Sequence, residues 1–211
     1  MSARFLDEPA RGGFARAIAA IEATSAIEVV VALRRTSATY RHANAIVGVL
    51  VALAGLATML FSAHEFSIAA ILVDPFVVGA LAAGLVELAP AIKRVLTPVS
   101  VRDREVRRAA RATFVERGVH NTRDRSGILL YISWLEQRVA VIADSGLDHL
   151  LTADALATLE RALTAAIPRG GAAVAQELET AMATLAPGMP RRPDDRNELA
   201  DDVDSDLEGA R

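Results

Sequence analysis

A chain of 211 residues has room for one modest soluble core together with membrane segments, which excludes two independent domains beside them. It holds no cysteine, which excludes disulfides, thiolate metal sites and cysteine nucleophiles and suits a reducing compartment. The net charge of −3 speaks against nucleic acid as a main partner; at 52% hydrophobic residues and a mean hydropathy of +0.30, the chain is more apolar than ordinary soluble domains, with the excess between Ala43 and Leu88.

In chain order, Gly13 to Thr24 carries Phe14, Ala17, Ile18 and Ile21 at helical spacing, and Ile27 to Leu33 (IEVVVAL) is rich in β-branched residues. The spacing predicts a helix followed by a strand. A lone strand is not stable, so this one needs partners from later in the chain.

Ala43 to Phe61 is a run of nineteen uncharged residues, long enough at about 1.5 Å per residue to cross a hydrocarbon core of about 30 Å. Ile68 to Leu88 is a second apolar run, with Asp74 and Pro75 in its first third and Glu87 at its far end. Pro75 suits the first turn of a helix, so the span is expected to begin as late as Pro75 and to reach Ile92. An aspartate at mid-membrane costs about 2.5 to 3.5 kcal/mol, and Asp74 therefore reads as a helix cap or interfacial anchor.

The link Ser62 to Ser67 has no lysine or arginine, whereas Arg34, Arg35 and Arg41 precede the first run and Lys93, Arg94, Arg102, Arg104, Arg107 and Arg108 follow the second. This distribution predicts a two-pass transmembrane hairpin in the cell (inner) membrane with both termini cytoplasmic. Gly48 with Ala52, and Ala80 with Gly84, are spaced for close helix approach, within the hairpin or in a homo-oligomer.

Beyond the hairpin, Asp103 to Arg117 reads as a helix stopped by Gly118, Gly127 to Ser133 and Arg138 to Ala143 as a strand pair, Thr152 to Ile167 as a helix capped by Thr152 or nearby Asp154, and Gly171 to Leu185 as another. With both soluble parts on one side, Ile27 to Leu33 joins the later strands. The expected fold is α/β: a small α/β/α sandwich with a mixed sheet, interrupted by the two-helix transmembrane hairpin. The corresponding division is 1–42 for the first helix and strand, 43–92 for the hairpin, 93–186 for the rest of the domain, and 187–211 for an acidic tail. Between Arg191 and Arg211 that tail holds eight acids and four arginines, a composition that predicts disorder.

Two groups of residues carry candidate chemistry. The loop His120 to Ser126 concentrates His120, Arg123, Asp124 and Arg125, a set suited to a phosphate, a lipid headgroup or a partner; its simpler reading is an ion-paired loop fixing the helix-to-strand crossover. Asp144 and Asp148, with Gly146 between them, lie where an α/β sheet often places a divalent metal, and their simpler reading is a strand-end turn and a helix cap. No phosphate-binding loop, zinc spacing, dinucleotide fingerprint or serine-histidine-aspartate motif is present.

The segments Ile21-Glu22-Ala23-Thr24 to Glu28-Val29-Val30-Val31, Thr122-Arg123-Asp124-Arg125-Ser126-Gly127 continuing through Ser133, Glu136-Gln137-Arg138-Val139 and Ile142-Ala143-Asp144-Ser145-Gly146 resemble the TPM-domain family. The likeness is to its small bacterial membrane proteins in which a transmembrane hairpin interrupts the domain. It implies a small α/β/α domain and does not by itself imply one activity, since the family includes photosystem-repair and receptor-accessory proteins as well as proposed acid phosphatases. Some relatives are thought to bind divalent metal through acidic loops, but where exported members have an aspartate-bearing entry this chain reads Arg11-Gly12-Gly13-Phe14-Ala15-Arg16. The expected function is a membrane-anchored interaction or accessory module at the cytoplasmic face, touching membrane lipid and a protein partner in the membrane or cytoplasm. The alternative is a metal-dependent phosphatase using Asp144, Asp148 and the arginine loop.

Overall fold

The first helix, α1 (Glu8–Thr24), begins before its apolar stripe does. Asp7 accepts the Ala10 backbone N–H (3.0 Å) and Pro9 occupies the first turn, so a cap and a preset φ start the helix five residues ahead of Gly13. The computed structural model describes residues 5–192, 197–199 and 203–207. The other elements are β1 (Glu28–Arg34), α2 (Arg41–Phe61), α3 (Ile68–Leu85), α4 (Pro90–Leu96), α5 (Val99–Glu116), β2 (Gly127–Ser133), β3 (Arg138–Ala143), α6 (Ala153–Ala166), α7 (Gly171–Leu185) and β4 (Asp204–Ser205).

The chain divides into two units, one formed by Met1–Ala38 with Arg102–Arg211 and the other by Thr39–Val101. The first is mixed α/β around a four-stranded sheet of order β3-β2-β1-β4. β1 runs parallel to β2, with Glu28 opposite Gly127 and Arg34 opposite Ser133, while β3 is antiparallel to β2. Strands that belong to widely separated stretches of sequence thus share one sheet, as the isolated apolar run at Ile27 requires.

Alternation along the strands sorts their side chains onto two faces. Val29, Val31, Leu33, Ile128, Leu130, Ile132, Val139 and Val141 pack with Phe14, Ile18, Leu163 and Leu178 from α1, α6 and α7. Val30, Ala32, Leu129, Tyr131 and Ala140 pack with Val106 and Ala110 of α5. With both faces covered, the strands read as continuous apolar runs rather than alternating ones. Gly118, at φ +65°, ends the turn after α5 in the left-handed region that glycine tolerates.

Both sheet edges are closed. At the β3 edge, the Val139 N–H donates to Thr164 Oγ1 (3.1 Å) and the Val141 N–H to Glu160 Oε1 (3.0 Å), so one face of α6 supplies the acceptors that a further strand would otherwise provide. At the other edge, β4 runs parallel to β1 with Ala32 opposite Asp204 and Leu33 opposite Ser205. The expectation of disorder after Pro187 therefore does not extend to these residues. Asp204 forms ion pairs with Arg34 and Arg117, and Leu207 reaches the core of the α1/α6/α7 face, interactions that composition alone does not reveal. Asp194, Asp195, Asp201, Asp202 and Glu208 lie outside the described residues.

In the second unit, α2 and α3 form a helical hairpin, each long and apolar enough to cross a membrane by length and composition. Gly48 and Gly79 face one another there: a Cβ on Gly48 would stand 2.9 Å from Gly79 O and 3.0 Å from the Ala83 Cβ. The expected pairing of Ala80 with Gly84 is displaced by one position, to Gly79 and Ala83, and a Cβ on Gly84 meets nothing within 4 Å. Ser67, accepting the Ala70 N–H (3.2 Å), caps α3 in place of Asp74. Pro75 lies within the helix and not in its first turn. It is buried against α2 near Gly55, where the neighbouring helix supports a backbone that lacks one hydrogen bond. Glu87 accepts from Asn44 (2.6 Å) and pairs with Lys93. The helix does not continue to Ile92, because it tightens into a 3-10 turn at Val86–Leu88 and α4 starts separately at Pro90.

Candidate functional site

The loop between α5 and β2 and the turn after β3, two groups that the phosphatase alternative requires to meet, lie together at one end of the sheet. Arg125 Nε stands 3.4 Å from Asp144 Oδ2, and Arg125 Nη1 donates to His120 O (2.9 Å). The backbones interlock as well: Gly146 N–H donates to Arg125 O (3.0 Å) and Asp144 N–H to Gly127 O (2.9 Å). Arg125 holds φ +56°, a region that costs a non-glycine residue free energy and persists only where its surroundings hold it. Here Thr122 O accepts its N–H (3.2 Å) and Thr122 Oγ1 accepts the Ser126 N–H (2.9 Å).

The remaining candidates divide between this cluster and its rim. His120 stacks against Phe114 with ring centroids 6.1 Å apart, and its buried Nδ1 makes no hydrogen bond. Asp124 receives both contacts from Arg192 Nη1, at 3.1 and 3.0 Å. The Arg123 backbone N–H donates to Glu198 Oε2 (2.7 Å), so residues of the acidic segment lie against the loop. Asp144 is buried, its Oδ1 accepting the Ser145 N–H (2.7 Å) as the start of a 3-10 turn. Asp148 is exposed one turn further on, its N–H donating to Ser145 O (3.3 Å). Among the described residues, no group of three or more histidines, aspartates or glutamates is placed to hold a metal ion. The arrangement neutralises Arg125 with Asp144 and fixes a strained loop.

The opposite end of the sheet holds a buried polar network that sequence reasoning missed. Glu136, in the turn between β2 and β3, is fully buried. Its Oε1 accepts the Ser37 N–H (2.9 Å) and the Thr36 hydroxyl (3.3 Å), and its Oε2 accepts from Ser133. Its backbone carbonyl accepts Arg102 Nη1 (2.9 Å). Ser37 Oγ also lies 2.8 Å from Ser133 Oγ and 3.3 Å from the Tyr131 hydroxyl. Burial pushes the Tyr131 phenol above its ordinary pKa, and the contact with Ser37 opposes that rise. The chain thus leaves the first unit beside Ser37 and rejoins it at Arg102 with both points tied to one residue. The signal that could have found Glu136 is a carboxylate in a four-residue turn between two largely apolar strands, three residues after the buried Ser133.

A third feature is a cleft of about 680 Å³ beside β3, lined by Asp103, Arg107, Arg138, Glu160, Arg161 and Thr164. Arg107 spans it with two bonds to Glu160 (3.2 and 2.8 Å), and Arg138 pairs with Asp103 (2.8 Å).

These features define a mixed α/β protein with a small mixed sheet. No family profile matches the chain, and no curated protein does. Among solved structures it is similar to the BA42 protein of the psychrophilic bacterium Bizionia argentinensis, determined by NMR, with a TM-score of 0.56 and 16% identity over 95% of each chain. At that identity the likeness is one of fold.

Proposed function

We propose that this chain is a two-pass membrane protein whose divided TPM-like α/β/α domain lies at the cytoplasmic face and serves as an interaction or accessory module for a protein partner. The observation that carries the reading is the exposure of α2 and α3: within the spans Arg41–Phe61 and Ile68–Leu88, the 18-residue apolar windows are only 6% and 11% buried. Leu50, Leu53, Leu72, Phe76 and Leu81 all stand open. An apolar surface of that extent, left open by the rest of the chain, supports lipid as its surroundings. The ties of Ser37 and Arg102 to Glu136 support a segment that departs and returns at one point, which suits same-side ends and the arginine asymmetry.

The module reading is preferred to a phosphatase because Asp144, the carboxylate such an enzyme would use, already neutralises Arg125. Topology is tested in a chain that has no cysteine of its own. Ser62→Cys and Ser67→Cys are expected to react with a membrane-impermeant maleimide in intact cells, and Ser145→Cys only after lysis; the reverse pattern overturns the orientation. Metal-dependent phosphatase turnover that is lost in Asp144→Ala would sink the non-enzymatic reading.

A further inference from the structure

The contacts of β4 describe a receptor as well as a strand. Asp204 is held from two sides, by Arg34 and by Arg117, and Arg34 Nη1 also donates to the Asp204 carbonyl (2.8 Å). Asp206 Oδ1 accepts the Arg35 N–H (2.7 Å), while its own N–H donates to Leu33 O (3.2 Å). Leu207 is 8% exposed and enters the core, with Val203 packed against the same cluster. The edge of β1, where β4 now pairs with it, therefore offers three things in register: strand backbone that pairs with an extended segment, two guanidiniums for one carboxylate with a backbone N–H for a second, and an apolar recess. What fits is an extended segment of the pattern Asp-x-Asp-Leu.

The hold on the chain's own segment is light. β4 has two paired residues; its pair with Arg34 joins largely covered groups, at 20% and 22% exposure, but its pair with Arg117 joins a half-exposed guanidinium, at 49%. Pairs of that kind contribute little each, and a short edge element opens locally far more readily than the core. An opened β1 edge displays N–H and C=O groups that pair with any extended chain, while Arg34 and Arg117 select for acid.

We propose that the β1 edge is a receptor for an extended acidic segment of a partner protein, and that Asp204–Leu207 occupies it until such a segment displaces it. This deepens the interaction-module reading, on which the existence of a partner rests, by naming the surface and the partner's chemistry. The occupant is a foreign acidic strand; exchange of tails between two copies is a separate outcome of the test.

The test uses the full chain in detergent and a fluorescent peptide, Val-Asp-Ser-Asp-Leu-Glu, read by anisotropy. The native chain binds it weakly, because its own tail competes at high effective concentration. Asp206→Lys, which loosens the tail at an exposed residue, tightens peptide binding about tenfold, and adding Arg117→Ala reverses that gain. A peptide with both aspartates replaced by asparagine does not bind. Should the Asp206→Lys chain, folded by circular dichroism, take up no peptide, bind the asparagine peptide equally, or dimerise on sedimentation, the receptor is overturned. The module reading is scored separately, by crosslinking the native chain to partners in membranes, and it stands or falls without the peptide.

Discussion

The Ser37 backbone N–H donates to Glu136 Oε1 at 2.9 Å across 99 residues of sequence, the donor half-buried and the carboxylate fully so. Glu136 is fully buried together with Ser133, so removing the carboxylate leaves the Ser37 N–H and two hydroxyls to find other partners. Glu136→Ala is expected to lower stability by about 2 to 3 kcal/mol, and Glu136→Gln, which keeps an acceptor for Ser37, by about 1 kcal/mol. Denaturant unfolding of the detergent-solubilised chain measures both. Equal losses in the two variants would mean that the side chain's volume matters and its acceptors do not.

Arg107 and Glu160 bind across the cleft beside β3, but the two partners are not equivalent. Glu160 also accepts the Val141 N–H, whereas the Arg107 side chain is 48% exposed. Glu160→Ala should cost about 1 to 3 kcal/mol because it orphans an edge N–H. Arg107→Ala should cost under about 1 kcal/mol because solvent screens and replaces its bond. A double-mutant cycle gives the coupling. If Arg107→Ala proves the costlier change, the carboxylate is not acting mainly as an edge cap.

The contrast between these two sites explains what was legible beforehand. β2 and β3 match their expected bounds, since apolar runs between turn residues report burial directly, and the Thr152 cap of α6 was readable from local chemistry because its acceptor meets Ala155 N–H three residues on. The joining of His120–Ser126 to Asp144–Gly146 follows from strand order, which composition does not encode. Glu136 was passed over because its partners, Ser37 and Arg102, lie 99 and 34 residues away. The strand at Asp204–Ser205 was not legible for a related reason: Asp204 gains order from Arg34, 170 residues distant, while its own neighbourhood is acidic and polar.

The helical hairpin gives a test that discriminates between neighbouring small residues. A Cβ on Gly79 would sit 2.6 Å from Gly48 O and 2.9 Å from the Ala52 Cβ, whereas Gly84 has open space. Gly79→Ala must push the backbones apart and should destabilise the hairpin by about 1 to 3 kcal/mol. Gly84→Ala should be neutral or stabilising by up to about 1 kcal/mol through its better helix propensity. Titration with a denaturing detergent, followed by circular dichroism, reads both. A larger loss at Gly84 would mean that the helices pack through the face suggested by spacing alone.

Tyr131 supplies a pH dependence whose sign follows from its burial. Its phenol is held above the ordinary value of 10.0 because ionisation inside the sheet's α5 face is penalised. Between the unfolded and folded values the native state keeps a proton that the unfolded chain has lost, so stability falls as pH rises there. The contribution is fully present below about pH 10 and is lost as pH climbs through the folded value. Tyr131→Phe cannot ionise and should show a shallower alkaline decline in stability. At neutral pH the variant should lose no more than about 1 kcal/mol, since the hydroxyl's contact with Ser37 Oγ is long at 3.3 Å. The other tyrosine, Tyr40, remains as an internal reference, so a tyrosinate absorbance titration of the native chain against Tyr131→Phe isolates the buried phenol. If the absorbance step removed by the substitution falls at or below the ordinary tyrosine range, Tyr131 is not shielded, and the alkaline loss belongs to another group.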